Sequence, residues 1–152
     1  MLDVEAGKGM EVWRTSLVRE KGPTLPAEYR KLRGPEVVAR AFHSLWGDDP
    51  RERFVVFFLD SQNRIRGISE VSVGIVDASV VHARETFRGA ILANATSIIL
   101  AHNHPSGDTT PSPEDRTITR QMKEAGELLG IRVLDHLVVG WDGDGRVTWE
   151  QA

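Results

Sequence analysis

Residues Ser97 to Asp115 read S-I-I-L-A-H-N-H-P-S-G-D-T-T-P-S-P-E-D. The apolar run Ile98 to Ala101 has the look of a buried strand, followed by a loop of Pro, Gly, Ser and Thr that opens a helix. On an extended backbone residues i and i+2 point the same way, so His102 and His104 converge on one point just beyond the strand end. Asp115, in the first turn of the helix, adds a carboxylate that also suits the positive helix end. Two neutral imidazole nitrogens and one carboxylate suit zinc, and three protein ligands leave the fourth tetrahedral position free for water. Zinc (Zn2+) held in this way would lower the pKa of that water to about 7 and polarise a carbonyl beside it. The same residues have a plainer use. Ser112 as N-cap, Pro113 as first helical residue and Asp115 three after the cap form a capping box. Taken alone, Asp115 reads as a cap sooner than as a ligand; the two histidines on the strand end alter that weighting.

The spacing H-x-H-x7-S-x2-D, carried here by His102, His104, Ser112 and Asp115, resembles the signature of the JAMM (JAB/MPN) metalloprotease superfamily. L-A-H-N-H-P-S-G-D, P-S-P-E-D and L-L-G-I-R-V-L-D-H-L-V-V-G are similar to its RadC-like branch, as is V-H-A-R-E-T-F-R-G-A-I-L-A-N-A ahead of them. The likeness runs from near Glu52 to Gly140. It implies an α/β fold of the deaminase-like JAB/MPN kind, a three-layer mixed sheet with flanking helices and zinc at the end of the central strand. It also implies a general base: a glutamate at the start of an earlier strand, matched by Glu52, with Glu70 in the partner strand as competitor. The implied chemistry is that of a zinc metallopeptidase or isopeptidase. Glu52 takes the proton of the metal-activated water and passes it to the leaving amine, and the Ser112 hydroxyl helps hold the oxyanion. The implied partner is a peptide or protein substrate. The same metal and base suit a phosphodiester too, and RadC-like proteins carry an association with DNA repair. Longer members have an N-terminal helix-hairpin-helix region for which this chain has no room, which weakens a nucleic-acid reading. The alternative is a non-catalytic or DNA-repair-associated accessory module with a structural metal.

The rest of the chain fits one domain. Its 152 residues suffice to bury about 68 to 70 per cent of the unfolded surface, enough for a core without staples. Cysteine is absent, which removes disulfides, thiolate zinc sites and the paired-Cys signature of the zinc nucleobase deaminases. No apolar run approaches the ~20 residues of a membrane span and no signal-peptide core is seen, so the expected location is cytoplasmic. A net charge of -3 argues against a surface given over to phosphate backbones.

Residues 1–25 read as an N-terminal arm with a strand at Glu11 to Arg19, and residues 26–152 as the RadC-like domain. Gly34-Pro35 opens an amphipathic helix ending near Gly47, in which His43 and Trp46 are packing residues. Phe54 to Leu59 is a strand covered on both faces, and Ile65 to Val76 its hairpin partner, with Gly67 and Gly74 marking a bulge or bend. Ala83 to Asn94 forms a second helix, with Phe87, Ala90, Ile91 and Asn94 on one side and His82 at its solvated start. A third runs from Pro113 to about Leu129, burying Ile118, Met122, Ala125 and Leu129, and Gly130 stops it. Ile131 to Val139 and Val147 to Trp149 are the last strands. Asp135-His136 is expected in core or second-layer roles, and Asp142 and Asp144 in a plain turn.

Overall fold

The computed structural model describes residues 12–18 and 24–152. A short 3-10 turn, Ala27–Arg30, precedes helix α1 (Pro35–Trp46), strands β1 (Arg53–Leu59) and β2 (Ile65–Val73), and helix α2 (Ala83–Leu92). Strand β3 (Ser97–Asn103), helix α3 (Pro113–Leu129) and strands β4 (Arg132–Trp141) and β5 (Val147–Gln151) complete the order. The strands form one sheet in the order β2-β1-β3-β4-β5. The pairs β1–β2, β1–β3 and β4–β5 are antiparallel, whereas β3 and β4 run parallel and are joined through α3. A parallel pair needs such a crossover, because no tight turn can reverse the chain twice. This is the three-layer mixed α/β sheet that the sequence implied.

The alternation of side chains along each strand divides the core in two. Phe54, Val56, Ile98 and Leu100 pack with Phe87 and Ala90 of α2 and Ile118 and Met122 of α3. Val55, Phe57, Ile99 and Ala101, from the intervening positions, pack with Val38 and Phe42 of α1 on the opposite face. Every residue of β1 and β3 is therefore buried, which explains why their sequences are nearly continuous apolar runs. Each large side chain so covered contributes about 1.5–3 kcal/mol of transfer free energy.

The differences from the sequence reading have physical causes. Residues 12–18 are exposed and belong to no helix or strand, so the strand expected at Glu11 to Arg19 does not form there; Glu11 and Arg19 themselves lie outside the described residues. Alternation without a buried face or a pairing partner does not make a strand. β2 ends at Val73 because Gly74 takes φ 108°, a conformation that leaves the extended region. The bulge near Gly67 is present as a register shift between Phe58 and Leu59. In α2 the packed positions are Thr86, Phe87 and Ala90, while Ile91 is half exposed.

Helix α3 keeps its expected bounds, with Gly130 in the left-handed conformation at φ 70°. Its inner face differs. Ile118, Met122 and Gly126 are buried, whereas Leu129 is 49% exposed and Ala125 only partly covered. A Cβ at Gly126 would stand 2.4 Å from the Ile131 carbonyl oxygen, so a glycine lets the helix end close against the start of the next strand. Gly126→Ala should therefore destabilise the fold by about 1–3 kcal/mol in urea unfolding, despite the gain of about 1 kcal/mol in helix propensity. An unchanged or raised midpoint would show that the helix end can shift to make room.

Candidate metal centre

The register of β1 on β3 builds the site. Phe54 lies opposite His102, and Glu52, two residues before Phe54, is thereby brought to the C-terminal end of the central strand, where His104 follows. The Asn103 side chain fastens this junction. Its Oδ1 accepts from the Arg53 backbone N–H at 2.8 Å and its Nδ2 donates to the Arg51 carbonyl at 3.2 Å. The Gly74 N–H donates to the Glu52 carbonyl at 2.7 Å. The backbone on both sides of Glu52 is thus held before its side chain is considered.

The two imidazoles meet as the i, i+2 argument requires: Nε2 of His102 and Nε2 of His104 are 3.2 Å apart. His102 is completely buried and lies within β3. Glu52 completes a group with them in which one ligand atom from each residue lies within 4.8 Å of the others. Asp115 touches both histidines, its Oδ1 2.9 Å from His102 Nε2 and its Oδ2 3.2 Å from His104 Nε2. It also closes the capping box, since Oδ2 accepts from the Ser112 N–H at 2.7 Å and the Ser112 Oγ accepts from the Asp115 N–H at 3.1 Å. The cap and the histidine contact, weighed as alternatives in the sequence, are made by one carboxylate. The compact triplet nonetheless contains Glu52 where the sequence reading placed Asp115, with Glu52 free to act as base.

The donor set suits a borderline divalent cation. His104 Nδ1 faces the Asp108 carbonyl at 2.7 Å, and a carbonyl only accepts, so that nitrogen carries a proton and Nε2 is the atom turned to the cluster, where it could ligate a cation. Two imidazoles flanked by carboxylates are a zinc-type arrangement in chemistry and number. Burial pushes the Glu52 carboxyl up, against the opposing influence of His102, the Val76 N–H and His104. Burial would also raise Asp115, but its hydrogen bond and charge interaction with His102, and its bonds to Ser112, outweigh this and hold it well below the usual carboxylate range. Burial drives His136 well below the ordinary imidazole range, keeping the ring neutral.

Glu70, the competitor for the role of base, is paired instead with Arg53, whose guanidinium also holds Asp49 and lies 5.5 Å from the Trp46 ring. His82 is exposed at the start of α2 and makes no side-chain cap bond, and the His43 ring packs edge-on against Trp141. Asp142 Oδ1 accepts from the N–H groups of Asp144 and Arg146, the plain turn expected there. Two clefts of about 400 and 440 Å³ open elsewhere, one lined by Tyr29, Arg40 and Trp149 and the other by Lys123 and Gly130. Neither is lined by a member of the cluster.

Two residues escaped the sequence reading, and a third was placed in it without its partner. Asn103 sits between the two histidines and faces away from them, so its clamp across β1 is visible only in the register. Thr119 looks like one of several helix threonines; its bond to the Asp115 carbonyl lies within one turn of α3, but its contact with His136 depends on the packing of α3 on β4. The direct approach of His136 to His102, at 2.8 Å, falls in the second layer expected for Asp135-His136, but nothing in the sequence named its partner.

A family model described as the RadC-like JAB domain matches residues 32–148. The chain belongs to that family. A UPF0758 protein of Geobacter sulfurreducens is 45% identical over 118 residues, covering 78% of this chain and 50% of the relative. One from Moorella thermoacetica is 53% identical over 98 residues, covering 64% and 42%, and one from Pelobacter propionicus 43% identical over 152 residues, covering 95% and 66%. This RadC-like chain thus spans about half the length of several relatives it matches, and the likeness identifies a domain. Among the described residues of the RadC-like domain, no helix is long and apolar enough to cross a membrane.

The depressed Asp115 carboxyl fixes the sign of one pH effect in the metal-free protein. Its folded value lies below the unfolded value of about 3.9, so its contribution is fully present above that pH and is lost as the pH falls through the folded value. Denaturant titrations from about pH 6 to about pH 2 should show wild type losing more stability than Asp115→Asn. Parallel losses would mean that the pairing does not favour the charged form.

Proposed function

We propose that His102, His104 and Asp115 hold a zinc ion with Glu52 beside it as general base, and that this centre hydrolyses an amide bond of a peptide or protein, as a JAMM-type metallopeptidase does. The observation that carries the reading is the convergence of two imidazole Nε2 atoms, 3.2 Å apart, with Asp115 on both and Glu52 beside them. Bound zinc would supply an acidified water and a polarised carbonyl. The chain's own residues supply the proton movements. Glu52, its carboxyl raised by burial, is suited to accept a proton from the attacking water and return it to the departing amine. Ser112 Oγ already accepts from the Asp115 N–H, which leaves its own O–H to donate to the oxyanion. Asp115 orients both imidazoles while anchoring the start of α3.

A specific observation favours a second reading, an accessory module with a structural metal. The compact triplet enlists Glu52 with the histidines, which consumes the residue that hydrolysis needs as a base, and Asp115 is already satisfied by its cap and its imidazole contacts. Under this reading the domain serves a larger protein by binding, with nucleic acid among the partners to test.

Zinc content and hydrolysis of peptide, isopeptide and DNA substrates separate the two in wild type, Glu52→Gln and His104→Ala. On the hydrolytic reading Glu52→Gln retains zinc and loses activity by about 10²- to 10⁴-fold, whereas His104→Ala loses the metal. Loss of zinc from Glu52→Gln, or no cleavage of any substrate by zinc-loaded wild type, favours the accessory module. Full activity in Glu52→Gln overturns the base assignment.

A further inference from the structure

Two buried residues outside the cluster join its ends. The Thr119 hydroxyl donates to the Asp115 backbone carbonyl at 2.8 Å. Thr119 Oγ1 lies 2.6 Å from His136 Nδ1, and His136 Nε2 lies 2.8 Å from His102 Nδ1. Asp115 Oδ1 is in turn 2.9 Å from His102 Nε2, so the circuit starts and finishes on one aspartate.

Proton counting gives the circuit a direction. A hydroxyl has one proton, and the Asp115 carbonyl takes it, so toward His136 the threonine oxygen is the acceptor and Nδ1–H the donor. His136 is 1% exposed, and a ring that buried with one proton on Nδ1 has a lone pair on Nε2. That lone pair accepts from His102 Nδ1–H, so His102 keeps its Nδ1 proton, and the proton that Nε2 shares with Asp115 in the metal-free protein is the one a cation would displace. The opposite polarity would force Thr119 to abandon the Asp115 carbonyl and would make His102 Nδ1 the acceptor, so that Nε2 would be the nitrogen obliged to keep its proton and would be closed to a cation.

We propose that Thr119 and His136 are positioning residues that set the His102 tautomer, through the hydrogen-bonded line from the Asp115 carbonyl to His102 Nδ1, so that Nε2 can ligate a divalent cation. This rests on the metal-centre reading above and is independent of whether the centre is hydrolytic. His104 reaches the same tautomer by a local route, its bond to the Asp108 carbonyl, so the two ligands are prepared by separate means.

The test uses zinc alone, with affinities from competition against a chromophoric chelator, for wild type, Thr119→Val and Thr119→Ser. Thermal unfolding of each metal-free protein identifies any general loss of structure. Thr119→Val keeps the side-chain shape and should bind zinc about 10- to 100-fold more weakly, whereas Thr119→Ser keeps the hydroxyl and should stay close to wild type. Nitrogen-15 imidazole spectra of zinc-loaded wild type should show His102 and His136 each protonated on Nδ1 only. Equal affinities for the Val and Ser variants, or a proton on His136 Nε2, overturn the proposal while leaving the metal centre standing. Failure of wild type to take up zinc overturns both.

Discussion

The antiparallel pairing of β1 with β3 is the constraint on which the rest depends. It sets Phe54 against His102, brings the chain just before β1 to the end of the central strand, and thereby gathers Glu52 with two histidines that follow it by some fifty positions. A slip of one residue would turn every side chain of β1 to the opposite face and exchange its two packed layers. The register is protected against this because both faces are buried, one under α1 and the other under α2 and α3. Asn103 adds a polar lock at the one place where the apolar pairing ends.

Helix α3 supplies the second half of the site by a device that is stabilising in its own right. Its capping box orients Asp115, and the same carboxylate meets the two imidazoles. A cap usually satisfies otherwise unpaired N–H groups and goes no further. Here it also delivers a negative charge to the end of β3, so the local demand of the helix and the chemical demand of the cluster are met together. Arg53 works from the neighbouring strand in the opposite sense, drawing Glu70 and Asp49 to its guanidinium and so keeping Glu70 engaged outside the cluster.

Much of this was legible in the sequence because it is local. The apolar runs announced β1 and β3, S-P-E-D announced the start of α3, Gly130 its end, and H-x-H the convergence of two rings. Where the reading departed from the structure, the deciding interaction lies far away along the chain. Helical spacing could not say that Gly126 rather than Leu129 would press on the next strand, nor that Ile91 would turn outward. Alternation suggested a strand at Glu11 to Arg19, but the described residues of that stretch have no pairing partner to make one. The links from Thr119 to His136 and from His136 to His102 require α3, β4 and β3 to be packed before they exist.

The strand order has one more consequence. β2 and β5 occupy the rims of the sheet, while β1 and β3 have neighbours on both sides. Rim strands can detach through small, sub-global openings that cost less than unfolding the domain, whereas an inner pair separates only when most of the sheet comes apart. Amide hydrogen exchange along Val55 to Phe57 and Ile99 to Ala101 should therefore be as slow as global unfolding dictates. The end of β3 that carries the histidines is thus rooted in strands with neighbours on both sides, and any adaptation there falls to the loops around it.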